Sequence, residues 1–255
     1  MFYVHRYIRL TIPLALITAF IIAFLPIIVQ QSNSHTAIYN AIRMSESCKS
    51  HGWANLLYVN NFYDHGNDCI GVTWYTGEDM MFFAISLLVI YPMWSNSHMG
   101  AILWWFVWLI ASTIPIFYQT INFHLSIGMG NTEDTPGAFA NDYGRTPDTY
   151  RAPWLRFQPY LVGILLGYIL HKTRGKKLQI DPRINLFCWQ AAFLAAFAVV
   201  YGLYDQHERP LTKLEIALYN GLQRIAWSVS LSWVIFSCNK GKFKSNYVLE
   251  IIKSA

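Results

Sequence analysis

Six long apolar stretches constrain the fold of this chain more than any other feature of its sequence. They cover about residues 10–29, 80–94, 99–118, 155–170, 186–204 and 218–238. About 20 helical residues cross the hydrocarbon core of a bilayer, and the first, third, fifth and sixth stretches have that length. Because the stretches are too long for strands and show no period of two, they predict helices. We therefore expect an all-α, polytopic membrane bundle with about six transmembrane helices, in a single domain over residues 1–255.

The second and fourth stretches, 80–94 and 155–170, are the short ones. Each could be extended at its ends, stacked beside a neighbour, or re-entrant. The first stretch follows two arginines, as the apolar part of a cleaved signal peptide would. Its length exceeds that of a signal-peptide core, and no clear small-x-small site lies near Gln30 to Ser32. We therefore interpret residues 10–29 as a membrane span.

The charge content agrees with a surface that faces lipid. Of the 255 residues, 54% are hydrophobic and 13% are charged, against about 25% charged in a soluble domain. This composition excludes intrinsic disorder. The net charge is +5, but the basic residues lie at the ends of apolar stretches rather than in a stripe with aromatic residues. We therefore expect no nucleic-acid partner.

The distribution of lysine and arginine predicts the orientation in the membrane. Two basic clusters follow the fourth and sixth stretches: Lys172, Arg174, Lys176 and Lys177, and Lys240, Lys242 and Lys244. Cytoplasmic segments carry such an excess, so we expect both ends of the chain in the cytoplasm. The long loops 30–79 and 119–154 would then lie outside, at the plasma membrane or the endoplasmic reticulum. The same cations could also bind lipid headgroups, and the two interpretations are compatible.

Two of the four cysteines lie in the predicted outside loop. Cys48 and Cys69 would form a disulfide if that loop faces an oxidising compartment, and two unpaired thiols are the alternative. Cys188 and Cys238 fall in apolar stretches, where packing, or palmitoylation of Cys238, is the simplest role. The sequence contains no Cys-x-x-Cys motif, and its histidines form no pair four residues apart, so we expect no metal site.

A pair of basic residues stands just before the first stretch. Arg6 and Arg9 are three residues apart, so they share one face of a helix. They can serve as a topology anchor. They can also capture a phosphate-bearing donor, because guanidinium groups match phosphate oxygens in geometry.

Acidic residues open the second stretch, and one arginine lies inside the sixth. Thr76 and Asp79 resemble a capping box, while Glu78 and Asp79 could also orient a base or a substrate hydroxyl. Arg224 lies several residues within an apolar run, where a charge must snorkel or find a partner. Asp79 is a candidate partner for it.

Four segments of the chain resemble one protein family in combination. The run WYTGEDMMFF at 74–83, preceded by NLLYVNNF at 55–62, is similar to the nose-resistant-to-fluoxetine group of the acyltransferase 3 superfamily. The arginine-rich segment 3–13, the segment 153–163 with Gly167, and the segment 224–227 with Trp233 and Cys238 resemble further family motifs. The positions of Cys48 and Cys69 also fit that group.

This resemblance implies a reaction and a set of residues. The family transfers an acyl group, other than an aminoacyl group, from a donor such as acyl-CoA to a lipid or sugar-like hydroxyl, with no bound cofactor. By motif match, Arg6 and Arg9 would bind the donor and Asp79 would be an accessory acid. The remaining residues expected to bind substrate or donor are Trp74, Tyr75, Arg156 and Arg224. Three positions depart from the family pattern: Met81 replaces a usual glutamine, Ala152 a usual basic residue, and Gln158 a usual glycine.

The resemblance also raises an expectation about the ends of the chain. The family's arginine-to-histidine motif, whose histidine is the proposed base, lies upstream of the matched segments. Its last spans follow a segment like 245–249. We therefore expect an internal fragment of a longer protein that is inactive alone, and the oligomeric state is left open.

Two other classes of function remain alternatives. One is a transporter or carrier of lipids or hydrophobic small molecules, with Arg224 and the outside loops forming a gate and a capture surface. The other is a non-catalytic, receptor-like surface protein, based on the aromatic residues of the first loop. Mutants that lose acyl transfer while uptake persists would favour the enzyme.

Overall fold

A computed structural model describes residues 2–62, 69–95, 97–123, 152–175, 180–204 and 211–240. Most of the predicted loop 119–154, the cations Lys176, Lys177, Lys242 and Lys244, and the segment 245–249 lie outside these residues. Within them the chain forms α-helices and short 3-10 turns, and no strand. The all-α prediction is therefore confirmed for the described part of the chain.

The helices follow one another along the chain with few long connections among the described residues. Their bounds are α1 Phe2–Ala23, α2 Leu25–Val29, α3 His35–Leu56, α4 Trp74–Ser95, α5 His98–Phe123, α6 Phe157–Lys172, α7 Pro182–Tyr201 and α8 Lys213–Lys240. The 3-10 turns are Asn60–Phe62, Gly71–Thr73 and Pro153–Leu155.

Four segments among the described residues are long and apolar enough to cross a membrane. They are Tyr3–Ala23, Gly71–Ser95, His98–Asn122 and Pro182–Tyr201. The predicted stretches 155–170 and 218–238 correspond to α6 and α8. Helix α6 has 16 residues, and α8 carries Arg224 within it. Membrane spans are thus present, fewer by this measure than the number expected from the sequence.

The segment 30–79, predicted from the sequence as an outside loop, includes a long helix. It contains α3, which begins where the Ser34 hydroxyl accepts a hydrogen bond from the Ala37 amide. Such an N-cap satisfies an amide that the first helical turn leaves unpaired. The sequence pattern missed α3 because its residues are mostly polar and form no apolar run.

The boundaries of the first two stretches also differ from prediction. The stretch 10–29 breaks at Phe24 into α1 and α2, and Pro26 lies in the first turn of α2, a position that suits proline. Helix α4 begins at Trp74, so Thr76 lies inside its first turn. The Thr76 hydroxyl donates to the Thr73 carbonyl at 2.7 Å, and the expected capping box is therefore wrong.

The chain divides into two compact units, with the division inside α4. Unit 1 comprises residues 1–88 and 143–153, and unit 2 comprises 89–142 and 154–255. In unit 1, α1 and α2 pack against α3. Its buried apolar cluster consists of Leu14, Ile21, Cys48, Tyr58, Cys69 and Ile70. Within that cluster Cys48 and Cys69 form the predicted disulfide.

In unit 2, α8 packs against α5, α6 and α7. Gly221 on α8 faces the Phe117 ring of α5 so closely that a Cβ atom would collide with it. The indole of Trp105 on α5 donates to the Leu161 carbonyl of α6 at 2.7 Å. Helix α8 begins at a reciprocal cap in which Thr212 and Glu215 each satisfy the other's amide, as in a capping box.

Candidate functional site

Arg6 lies in unit 1 between a carboxylate and an aromatic ring. Its Nη2 atom is 2.5 Å from Asp79 Oδ2, and its guanidinium carbon is 4.2 Å from the centre of the Phe83 ring. Asp79 and Phe83 are four residues apart on α4, so they share one face of that helix. An ion pair and a cation–π contact therefore hold the same guanidinium. We call Arg6, Asp79 and Phe83 the Arg6 clamp.

Tyr3 holds the first turn of α1 against α4 beside the Arg6 clamp. Its hydroxyl donates to the Ala84 carbonyl at 3.2 Å. Its ring meets the Phe83 ring edge to face, with 5.6 Å between centres. The clamp is thus one part of a longer contact between the beginning of α1 and the first three turns of α4.

This contact corrects the predicted topology of unit 1. That topology placed residues 1–9 in the cytoplasm and Asp79 at the outside end of the next span, about 30 Å apart across a bilayer. The Arg6–Asp79 ion pair requires both residues at one depth. The two residues lie at the same depth because an unpaired charge near the hydrocarbon is costly and each of these charges compensates the other.

Arg6 and Asp79 are neither buried nor fully solvated. Their side chains are 32% and 35% exposed. The Nε atom of Arg6 is buried and makes no hydrogen bond with the described residues, so a ligand can reach this guanidinium only at its exposed atoms. Arg9, three residues later on α1, is exposed. The two arginines that the sequence grouped together thus lie in different environments.

Tyr58 connects α1 to the turn after α3. Its hydroxyl lies 3.1 Å from the Thr11 hydroxyl, and its ring packs edge to face against Tyr7. Its backbone is left-handed, with a φ of 60°, which is uncommon for a residue other than glycine. Burial raises the pKa of Tyr58, and charges on Tyr7 and Asp79 raise it further, while the Thr11 hydrogen bond opposes them.

A group of buried polar side chains surrounds the beginning of α4. Asn61 donates to the Trp74 carbonyl at 3.0 Å, and Asn60 donates to the Thr73 hydroxyl at 3.4 Å. Gly77 leaves room for both amides, since a Cβ there would lie 2.9 Å from Asn60 Oδ1. These asparagines thus fix the first turn of α4, two turns or less from the Arg6 clamp.

Sequence reasoning missed the roles of Asn60 and Asn61 and the burial of Glu78. The Glu78 side chain is 3% exposed, although the sequence placed it beside Asp79 as an equivalent acid. The one signal was the pair of asparagines before a helix whose first turns contain a glycine. That pattern becomes informative only when the two segments are known to touch.

The aromatic residues that precede the clamp differ in exposure. The Trp74 and Tyr75 rings meet edge to face, with centres 5.8 Å apart. Tyr75 is exposed, and Trp74 is half-buried. Tyr75 therefore offers an accessible ring on α4, and Trp74 contributes its carbonyl to the asparagine contact.

The other predicted site residues belong to unit 2. Arg224 on α8 donates from Nη1 to the Leu155 carbonyl at 2.6 Å, and Arg156, the next residue, is part-buried at the beginning of α6. The partner of Arg224 is therefore a backbone carbonyl, and not Asp79 as the sequence suggested. The Asp79 carboxylate binds Arg6 within unit 1.

Gln158 is the buried polar centre of unit 2. It is completely buried, and its amide donates to the Thr113 hydroxyl at 2.9 Å and the Gly221 carbonyl at 3.3 Å. This position departs from the family pattern, and the structure gives the departure a role in joining α5, α6 and α8. Among the described residues, no three His, Cys, Asp or Glu side chains lie close enough to hold a metal.

Comparison with known proteins identifies the family to which the chain is similar. The family model Acyl_transf_3, described as an acyltransferase domain, matches residues 1–254. The chain is 27% identical over 250 residues to the Caenorhabditis elegans protein "Nose resistant to fluoxetine protein 6", covering 94% of this chain and 29% of that protein. It is 22% identical over 153 residues to "Regulator of hypoxia-inducible factor 1" of the same organism, covering 56% of this chain and 29% of that protein.

No solved structure matches the chain. The chain spans 29% of the length of each of these two relatives. The family model, in contrast, covers nearly every residue, including α1 with Arg6, α4 with Asp79 and the segment around Gln158. The chain therefore belongs to the acyltransferase 3 family.

Proposed function

We propose that the protein transfers an acyl group, other than an aminoacyl group, from an acyl-CoA-like donor to a lipid or sugar-like hydroxyl. In this proposal residues 1–255 form one domain within a membrane bundle of about six spans. The observation that carries the proposal is the Arg6 clamp, which holds a partly exposed guanidinium in one orientation in a segment that the family model matches.

The clamp suits Arg6 to binding a phosphate of the donor. Asp79 and Phe83 hold the guanidinium in one orientation, so little side-chain freedom is lost when a ligand binds. The Arg6 side chain is 32% exposed, so a phosphate oxygen can reach the exposed part of its guanidinium. Arg9 is exposed on the same helix and supplies a second cation to the donor.

Asp79 acts in this proposal as a positioning residue. Its carboxylate is bound to Arg6, so it orients that arginine rather than removing a proton. In the reaction the acceptor oxygen attacks the thioester carbonyl, the carbon–sulfur bond breaks and the coenzyme A thiolate leaves. We assign the base that takes the acceptor's proton to none of the described residues.

The proposal also includes the other residues expected from the sequence, each considered within its own unit. Tyr75 offers an exposed ring, and Trp74 lies beside it, as suits an apolar or sugar-like acceptor. Arg156 and Arg224 flank the Leu155 carbonyl and supply the remaining cations. No metal or bound cofactor takes part in the proposed reaction, and the partners are membrane lipid, the donor and the acceptor.

The membrane placement rests on contacts within unit 2. His98 Nδ1 is 3.0 Å from the Tyr168 hydroxyl, and the Trp94 and His171 rings are 5.0 Å apart. Trp94, His98, Tyr168 and His171 therefore lie at one end of this unit. This supports placing the connection after α4 and the end of α6 on one side of the membrane, which we propose is the cytoplasm of a plasma-membrane or endoplasmic-reticulum protein, and we propose the same side for the end of α8.

Substitutions in the clamp, introduced into the natural gene, test this function in membranes from cells that express that gene. With radiolabelled acyl-CoA, Arg6→Lys should raise the KM about tenfold, because lysine is a point charge without the planar fork. Asp79→Asn should raise KM in the same direction by a smaller factor. Arg43→Lys, on the exposed part of α3, is the matched control.

Two outcomes would contradict the proposal. One is acyl transfer that responds to Arg43→Lys as strongly as to Arg6→Lys. The other is uptake of a fluorescent lipid that depends on the clamp in membranes without acyl transfer, which would assign the protein to carriers.

A further inference from the structure

An open apolar groove lies in unit 2 between the end of α4 and the end of α6. Its volume is about 270 Å³, and its lining is almost entirely apolar. Helix α4 contributes Ile90, Met93 and Trp94, and helix α6 contributes Ile164, Gly167 and Tyr168. Sites that enclose whole small molecules have volumes of about 300–1,000 Å³, so this groove suits one hydrocarbon chain.

A cation stands at the rim of the groove. The Lys172 ammonium is 5.7 Å from the centre of the Trp94 ring and 5.6 Å from that of Tyr168. Within the described part of the chain it forms no ion pair with a carboxylate. His171 lies against Trp94, and His98 bonds to the Tyr168 hydroxyl. The rim thus presents donors and a positive charge beside an apolar channel.

The depth of this rim matches the headgroup region of a bilayer. The candidate span Gly71–Ser95 ends one residue after Trp94, and Trp94 is 63% exposed. Exposed tryptophan and tyrosine at the end of a span lie at the membrane interface. A lysine at that level meets lipid phosphates, while the groove extends toward the hydrocarbon.

We propose that this groove binds an anionic phospholipid of the surrounding membrane. One acyl chain lies along Ile90, Met93 and Ile164, and the anionic headgroup lies at Lys172. Charge complementarity at the rim and the apolar lining below it select an amphipathic anion. The inference does not depend on the acyl transfer proposed above, because it concerns a surface of unit 2 that the reaction does not use.

Two glycines on α6 provide a matched pair of variants. A Cβ atom at Gly167 or at Gly163 would meet nothing within 4 Å, so a larger side chain fits at either position. Gly167 lines the groove and Gly163, about one turn earlier, does not. Gly167→Leu therefore fills the groove, and Gly163→Leu makes the same change outside it. Lys172→Gln removes the charge at the rim.

The test uses the whole protein in phosphatidylcholine nanodiscs with a small amount of a photoactivatable lipid. The probes are phosphatidylglycerol and phosphatidylcholine with the same diazirine-bearing acyl chain, and the crosslinked peptides are identified by mass spectrometry. The phosphatidylglycerol probe should label residues 90–94 and 164–171 several times more than the phosphatidylcholine probe does. Gly167→Leu and Lys172→Gln should reduce that labelling severalfold, while Gly163→Leu leaves it unchanged.

Three outcomes would overturn the proposal. The first is equal labelling by both probes, which would make the groove an ordinary lipid-facing surface. The second is labelling that Gly167→Leu and Gly163→Leu change to the same extent. The third is displacement of the probe by palmitoyl-CoA more readily than by unlabelled phosphatidylglycerol, which would assign the groove to a soluble acyl donor.

Discussion

The two units of this protein are held together by different kinds of interaction. Unit 1 combines a disulfide between Cys48 and Cys69 with the Arg6–Asp79 ion pair. Unit 2 joins its helices through hydrogen bonds to backbone carbonyls, from the amide of Gln158, the indole of Trp105 and the guanidinium of Arg224. Stability in unit 1 should therefore respond to reduction of the disulfide, and stability in unit 2 to side-chain volume.

The difference follows from where each unit carries its polar residues. Unit 1 places a polar helix, α3, against apolar α1 and α2, so a crosslink compensates for a small apolar interface. Unit 2 packs α8 against α5, α6 and α7, and in a membrane such helices associate through van der Waals packing and interhelical hydrogen bonds. A family member can thus vary the contacts of one unit under constraints that do not apply to the other.

Removal of the disulfide should produce the largest difference in stability between the two units. Cys69→Ser opens a loop of 21 residues, and the chain-entropy estimate for that loop is about 3 kcal/mol. Hydrogen exchange should accelerate in α3 and remain unchanged in α7. Cys188→Ser, which replaces an unpaired cysteine in unit 2, is the control. Equal acceleration in both helices would show that the units unfold as one and would break the comparison.

Adding a single methyl group to a glycine of each unit should produce a smaller difference in stability between them. Gly221→Ala drives a Cβ atom into the Phe117 ring of unit 2, and Gly77→Ala brings one to 2.9 Å from Asn60 Oδ1 in unit 1. An aromatic ring between packed helices has less room to move than an amide, so we expect costs of about 2 and about 1 kcal/mol. Thermal unfolding in detergent measures both.

Gly163→Ala is the reference for both variants. It brings the same gain in helix propensity of about 1 kcal/mol and meets no neighbour. If Gly77→Ala costs more than Gly221→Ala relative to this reference, unit 1 is the more tightly packed of the two.

Alkaline pH should produce the smallest effect, which we expect in unit 1 through Tyr58. Because burial raises the pKa of Tyr58 above its ordinary value of 10.0, the folded state favours the neutral phenol. This stabilisation is complete below about pH 10 and is lost as the pH rises through the raised pKa. We expect a change below about 1 kcal/mol, measured as the difference in alkaline unfolding between the natural protein and Tyr58→Phe. Tyr75→Phe, at an exposed tyrosine, should leave the alkaline response unchanged.

The sequence predicts those parts of the fold that depend on local pattern. Apolar length located helices α5 and α7 to within a few residues, and cysteine position located the disulfide. Helix α3 was missed because a helix stabilised by packing and a crosslink needs no apolar run of its own. The pairing of Arg6 with Asp79 was missed because it depends on which helices meet, and residues 73 positions apart carry no local sign of contact.

Gln158 shows the same limit at a single position. Gln158 departs from the family pattern in the segment 153–163, and the sequence offers no explanation for that departure. Its hydrogen bonds to Thr113 and Gly221 join three helices, so the departure is compensated by partners that no local motif includes. Arg6 and Asp79 were individually identified from the sequence, whereas Phe83 and the arrangement of the three residues were not.

The left-handed backbone of Tyr58 limits which substitutions unit 1 can accept during evolution. A left-handed backbone at a side chain of this size costs about 1–2 kcal/mol, and the contacts with Thr11 and Tyr7 offset that cost. Residues near the beginning of the chain therefore stabilise the left-handed turn at Tyr58, about fifty positions later in the sequence. Sequence drift at Thr11 or Tyr7 should be tolerated when position 58 becomes glycine or asparagine, and related sequences should show these positions varying together.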